Sequence, residues 1–379
     1  MSRLPGLDLL RAIAVAWVML FHSYIVGGLG PTFDPVAEPG WMGVDLFFVL
    51  SGFLIGGQVL APLARGDALR FGDFYRRRAY RVLPAYLAVL ALYFAWPGFR
   101  EADGIAPPWQ FLTFTLNLAI DYEHQRAFSH AWSLCVEEHF YLVFPLAAWW
   151  LSRRPSVARF VAVCVAIVAF GMALRGWIWI HEMAPVRGVE GVARSFGQRF
   201  IEDIYYPTWT RLDGLLAGVA LAAIRAYRPM LWTRLTARAN ALALGGLVVV
   251  AAAVALFSNR TGFAATTFGY PLLSFGLALL VAAGASDRGV LARVRVPGAA
   301  WLAAISYSLY LVHKPIFHLV QNNTGAWLDD GGVVAFGAYA AASLAGGALL
   351  HYAIERPLLR LRERRAAAFR AEAVTVDAR

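Results

Sequence analysis

Apolar residues run through this chain in long blocks, without the period of two or of 3.6 that marks a half-buried strand or helix of a soluble fold. About ten blocks approach or reach the length that crosses a bilayer: roughly 7–26, 41–60, 83–96, 130–151, 157–180, 205–226, 239–257, 265–285, 299–320 and 332–353. The third is short, and its helix is expected to start among the basic residues before it. An all-α, polytopic membrane helix bundle follows, because only closed hydrogen-bonded backbones tolerate hydrocarbon and no strand alternation is visible. One further apolar stretch, 109–120 (WQFLTFTLNLAI), is too short to cross. Counting it as a span would also move every later arginine cluster to the other side. It is expected to be a re-entrant or interfacial element on the outer side.

Arginine placement orients the bundle. The rich segments are 65–81, 153–159, 225–238, 288–295 and the tail after Arg356, one after every second span. The opposite loops hold Arg100, Arg126, Arg187, Arg194, Arg199 and Arg260. They also hold more acids, among them Asp34, Glu38, Glu101, Asp121, Glu190, Asp329 and Asp330. Both termini are therefore expected in the cytoplasm. Residues 1–355 read as one transmembrane domain, and 356–379 as a basic tail, helical near its start, on the cytoplasmic membrane surface. Nothing at the N-terminus reads as a cleaved signal peptide.

Composition agrees: 59% of residues are apolar and only 15% charged, which excludes an ordinary soluble domain. The formal net charge is +10, and Lys314 is the only lysine. In a soluble protein that balance would suggest nucleic acid. Here the arginines sit between apolar blocks, so membrane lipid is the expected partner and nucleic acid is not. Cys135 and Cys164 both fall inside spans and define neither a disulfide framework nor a metal site. No glycine-rich phosphate loop, paired-histidine zinc motif or nucleophile elbow stands out.

The chemistry lies in the polar residues that interrupt the apolar blocks. The first block, LDLLRAIAVAWVMLFHSYIV, carries Arg11 and His22. Eleven residues of helix return to within about 20° of one face and rise about 16 Å, roughly half the hydrocarbon thickness. The plainer reading is that both side chains snorkel to the headgroups. The second block carries Asp45, which calls for a buried arginine or histidine partner, and glycines 40, 43, 52, 56 and 57, which permit close helix approach. At the mouth of the third lies FYRRRAYR, with Arg77, Arg78 and Arg81 spaced to converge on phosphate. A positive-inside anchor explains such a cluster equally.

The fourth block places Ser133, Glu137 and Tyr141 on one helix face, with Glu138 and His139 alongside. Two adjacent carboxylates there suit either proton transfer or an interhelical hydrogen-bond network. The sixth carries Arg211 and Asp213, about 200° apart on a helix and so suited to partners on neighbouring elements. The ninth carries His313, Lys314 and Pro315, and the tenth His351 and Glu355, four apart as a local pair.

In this order the motifs resemble the acyltransferase-3 family of bacterial integral-membrane O-acyltransferases. They are LDLLRAIAVAWVMLFH, GVDLFFVLSGFLI, RRAYRVLPAY, HAWSLCVEEHFYLVFP, RLDGLLAG, SYSLYLVHKP and ERPLLRL. The resemblance implies transfer of an acyl group, most often acetyl from acetyl-CoA, to a hydroxyl of an extracytoplasmic glycan or glycolipid. It implies a multi-pass protein of the bacterial cytoplasmic membrane. It makes His22 the catalytic base and matches Glu137 and Glu138 to the family's paired acids; Asp45 or Glu137 is the acid expected to orient His22. It places Arg11, Arg77, Arg78 and Arg81 with the acyl-CoA donor. Ser133, Tyr141, Arg211, Asp213 and His313 fall to substrate contact or support. No metal and no permanently bound cofactor are expected. Many relatives carry an extra esterase-like domain outside the membrane. None is expected here, so a separate extracytoplasmic partner is an option. The competing expectation is a transporter or flippase for a glycolipid or small anion, its charges lining a pathway and no CoA bound.

Overall fold

In the computed structural model, residues 4–26, 33–324, 328 and 332–364 are described. Among them every regular element of more than one turn is helical; an isolated bridge, Ile105 with Ala127, is the sole extended pairing. The main helices are α1 Pro5–Val26, α2 Met42–Ala64, α3 Phe71–Ala95, α4 Trp132–Ser152, α5 Val157–Ile178 and α6 Asp213–Tyr227. They continue with α7 Pro229–Thr236, α8 Ala239–Leu256, α9 Tyr270–Gly284, α10 Ala299–Thr324 and α11 Gly332–Leu350.

Six helical segments are long and apolar enough to cross a membrane, and a seventh candidate is the α6–α7 pair, bent by 115°. They contain α1, α2, α5, α8, α9 and α11. Beyond Arg159 the exposed side chains of α5, among them Val161, Val165, Phe170 and Trp177, are apolar, as a lipid-facing helix requires. This is a membrane protein. Three more helices, α3, α4 and α10, are 25, 21 and 26 residues long. At 1.5 Å per residue each exceeds the ~30 Å hydrocarbon layer. They fall short in apolarity because they carry Arg77 and Arg78, Glu137 and Glu138, and His313 and Lys314.

Some boundaries agree with those read in the sequence and others differ. α3 begins at Phe71, so the basic cluster is itself helical. Residues 109–120 form two short helices, Pro108–Leu112 and Leu116–Ala119, neither able to span. The sixth block is not helical from its start. Pro207 and the tight turn Thr208–Thr210 break it, Arg211 sits outside regular helix, and α6 begins at Asp213. The expectation that Arg211 and Asp213 share one helix therefore fails, since the proline immediately before the turn removes a backbone donor. Pro315, by contrast, lies inside the unbroken α10. Helix continues through the π-turn His351–Glu355 to Arg364. Pro31, Asp329, Asp330 and the tail from 365 onward lie outside the described residues.

The chain divides into two compact units. The first holds residues 1–21, 35–69 and 102–303, and the second 22–34, 70–101 and 304–379. In the first, α2 packs on α6 at near-backbone distance. A Cβ on Gly52 would strike the Leu215 carbonyl; one on Gly218 would strike the Val49 carbonyl and the Phe53 amide. Gly40 and Gly43 meet α1 at Trp17 and Ala14 in the same way, while Gly57 faces open space. Four of the five glycines read as packing residues thus pack, and one does not. In the second unit Gly347 lets α11 close on Leu309 of α10, and the Tyr307 hydroxyl of α10 donates to the Val82 carbonyl of α3 at 2.9 Å.

Gly218→Val is expected to destabilise the protein by about 1–3 kcal/mol or more through overpacking. Gly57→Ala is expected to be neutral or slightly stabilising. Thermal melts of the two variants in one detergent check both.

Candidate functional site

Taking the first unit alone, its polar residues form charge-balanced sets. Asp45, on the first turn of α2, accepts from Arg211 at 2.8 Å, and both are buried. The expected partner of Asp45 is therefore present and comes from the break before α6. Asp213 takes a two-pronged bond from Arg175 of α5, at 2.8 and 3.2 Å. Arg175 is 0% exposed and also donates to the Thr210 and Thr267 carbonyls. The Arg211 guanidinium lies 4.4 Å from the ring centres of both Tyr205 and Tyr270. Two pairs of this kind fix three elements against one another where water cannot compete.

On α4 the predicted face is real. The Tyr141 hydroxyl donates to Glu137 at 2.6 Å, and Ser51 of α2 donates to the other Glu137 oxygen at 2.9 Å. Ser133 turns back to the His130 carbonyl at 3.4 Å. His139 meets the Thr208 hydroxyl at 2.7 Å. Glu138 is half-buried beside them, and Arg11 is half-buried on α1.

In the second unit, His22 and His313 form the most directional arrangement. Nδ1 of His313 lies 2.8 Å from the Tyr310 carbonyl, and its Nε2 lies 2.8 Å from Nδ1 of His22. A carbonyl only accepts, so His313 Nδ1 carries the proton. A neutral His313 then presents a bare Nε2, which accepts from His22 Nδ1–H. With both imidazoles neutral, His22 Nδ1–H donates to His313 and the lone pair of His22 is on Nε2. His313 is fully buried and His22 half-buried. Lys314, next in sequence, pairs with Glu101 at 3.1 Å, and Glu101 also accepts from Tyr93 at 2.8 Å.

At the other end of α3, Arg81 donates to Glu355 at 2.5 Å. Glu355 also accepts from Ser308 at 2.7 Å and His351 at 2.9 Å. The local His351–Glu355 pair is thus one arm of a three-donor cradle. Arg81 is charge-balanced within it, whereas Arg77 is exposed and has no ion pair among the described residues. No group of three metal-ligating side chains occurs among the described residues.

Arg175 was legible as a charge inside the apolar run VARFVAVCVAIVAFGMALRGWI, although the motifs drew attention elsewhere. Ser51, Ser308 and Tyr310 lie within the motifs quoted above and Thr208 does not, but none stands out, because a hydroxyl or carbonyl gains meaning only from what folds against it. For the acid that orients His22, the sequence offers Asp45 or Glu137. The geometry adds His313 as a direct hydrogen-bond partner of His22.

These features define a multi-helix membrane protein with ionisable groups organised inside its helices. The family model described as an acyltransferase domain matches residues 4–352, and the chain belongs to that acyltransferase-3 family. It is 25% identical over 338 residues to "O-acetyltransferase OatA" of Staphylococcus aureus, covering 84% of this chain and 51% of that protein. It is 27% identical over 335 residues to "Putative peptidoglycan O-acetyltransferase YrhL" of Bacillus subtilis, covering 83% and 49%. It is 24% identical over 335 residues to "Peptidoglycan O-acetyltransferase OatA" of Listeria monocytogenes, covering 83% and 49%. The chain thus spans about half the length of the curated relatives it matches. No solved structure matches it.

Asp45→Asn leaves Arg211 buried without its counter-charge and is expected to cost about 3–5 kcal/mol. Asp45→Leu combined with Arg211→Met is expected to recover much of that loss. The comparison of melting curves for single and double variants reads it out.

Proposed function

We propose that this protein is a membrane O-acyltransferase that moves an acetyl group from cytoplasmic acetyl-CoA to a hydroxyl of an extracytoplasmic glycan. Family membership supports acyl transfer, and the three relatives' names support O-acetylation, with peptidoglycan as the first acceptor to try. The observation that carries the reading is the hydrogen-bond chain from the Tyr310 carbonyl through His313 to His22.

The proposed topology has ten spans, with α3, α4, α6 and α10 joining the six most apolar segments, and both termini cytoplasmic. The membrane is the bacterial cytoplasmic membrane. In this arrangement α1 carries Arg11 toward the cytoplasm and His22 toward the outside, on one 22-residue helix. Acyl-CoA enters from the cytoplasm, its phosphates met by the guanidinium groups of Arg77 and Arg78. Arg81, held by Glu355, fixes that end of α3. Arg11 holds the donor further along.

His22 Nε2 takes the proton of the acceptor hydroxyl as its oxygen attacks the thioester carbonyl. The C–O bond forms, the C–S bond breaks, and the departing CoA sulfur takes the proton back from His22. Throughout, Nδ1–H of His22 stays on His313, so the imidazolium formed in the step keeps its acceptor. Transfer through a covalent acyl-histidine is the alternative route along the same path. Glu137, tied to Ser51 and Tyr141, and Glu138 serve as supporting acids.

His22→Ala is expected to lower transfer by about 10²–10⁴-fold at matched membrane expression, the usual worth of a general base. Full acetylation in that variant would exclude the assignment. His313 is expected to act by orientation. His313→Gln, whose carboxamide oxygen accepts from His22 Nδ1–H, should retain more activity than His313→Leu at equal melting temperature. Equal activity in the two would remove His313 from the mechanism. The readout is acetyl ester on the acceptor by mass spectrometry.

A further inference from the structure

Beside the two ion pairs of the first unit stands a third arginine that the mechanism does not use. Arg260 follows α8, and its guanidinium lies 4.4 Å from the Trp41 ring centre and 4.6 Å from that of Tyr205. Phe200 and Phe21 lie at 5.6 and 5.7 Å. These rings fix the guanidinium in place through its face, but a ring face gives its N–H groups no carboxylate or carbonyl to bind. Arg260 has no hydrogen-bond or ion-pair partner among the described residues, and its buried Nε–H is unsatisfied.

The charge balance points the same way. Arg175 is neutralised by Asp213 and Arg211 by Asp45, so Arg260 is the cation in excess. Arg211 and Arg260 both lie against Tyr205, at 4.4 and 4.6 Å from its ring centre. Asp45 interacts electrostatically with both, so the set carries one net positive charge that an incoming anion would balance. Arg175 and Arg211 are buried, whereas Arg260 keeps partial exposure, so the excess charge is the one that meets an incoming molecule.

We infer that Arg260, in its setting of Phe21, Trp41, Phe200 and Tyr205, is a binding site for an oxyanion carried by the sugar acceptor. The inference rests on the acyl-acceptor reading above and adds to it the class of acceptor: an acidic glycan. A carboxylate on the sugar and a phosphate linking it share the chemistry that a guanidinium fork recognises. The proposed topology puts Arg260 on the outer side, and Phe21 is the residue before His22 in the chain.

The test measures binding to the full-length protein in lipid nanodiscs, without any donor present. The probes are three oligosaccharides of equal length, one carboxylated, one phosphorylated and one neutral. The wild type is expected to bind at least one acidic probe about tenfold more tightly than the neutral one, with a preference that fades as salt is raised. Which acidic probe wins identifies the oxyanion. In Arg260→Gln the acidic-to-neutral ratio is expected to fall toward one. Arg260→Lys, which keeps charge but loses the fork, should hold an intermediate ratio. Arg187→Gln, which removes an exposed arginine of another outer loop in the proposed topology, should leave the ratio in place and so excludes a general charge effect.

An unchanged ratio in both Arg260 variants, or no acidic preference in the wild type, overturns the site. A wild type that prefers the acidic probe but fails to acetylate it when acetyl-CoA is then added refutes the transferase reading while leaving the site standing.

Discussion

Hydrocarbon offers no hydrogen bonds, and that constraint organises this protein. Every ionisable group placed inside a long apolar helix must find its partner within the chain. Asp45 finds Arg211, Asp213 finds Arg175, Glu355 finds Arg81, and His22 finds His313. The buried pairs add little net stability over apolar residues of equal size, since desolvation offsets most of the attraction. What they impose is registry: one arrangement of α2, α5 and α6 leaves no bare charge, and any slip exposes one to lipid. Glycine at 52 and 218 permits that arrangement by letting two backbones approach until side chains would no longer fit.

The division of labour among the helices follows from the same constraint. Helix α8 solves the problem by having little to satisfy, with Asn240 its only polar side chain, whereas α5 carries no charge but Arg159 and the buried Arg175 that Asp213 neutralises. Helices α3, α4 and α10 carry many of the candidate site residues, and these polar residues lower their hydropathy. Length and arginine placement recover them, while α1 and α2 carry His22 and Asp45 within segments that remain strongly apolar.

Much of this was legible in the chain. The helix content, the helix-breaking weakness of 109–120, the Ser133–Tyr141 face and the need of Asp45 for a cation follow from period, length and the cost of burying charge. The identity of each partner was not legible, because pairs such as Asp45–Arg211 and Ser51–Glu137 join residues 166 and 86 positions apart. The placement of Arg211 failed for a local reason: Pro207 and the turn after it delay α6 by several residues. The role of His313 was hidden most deeply. It depends on a backbone carbonyl three residues earlier, which fixes one proton and through it the tautomer of a second imidazole. Arg175 was visible but unremarked, since it belongs to no motif.

The central claim is that the embedded acid–base groups serve group transfer across the membrane and not passage of a substrate. The direct measurement uses purified protein in sealed vesicles, with acetyl-CoA inside and a peptidoglycan fragment outside. CoA thiol released within and acetyl ester formed on the outer fragment are followed together. The account predicts that the two appear in equal amounts, and that both vanish in His22→Ala. Fragment or lipid-linked sugar crossing the bilayer with no release of CoA would contradict it.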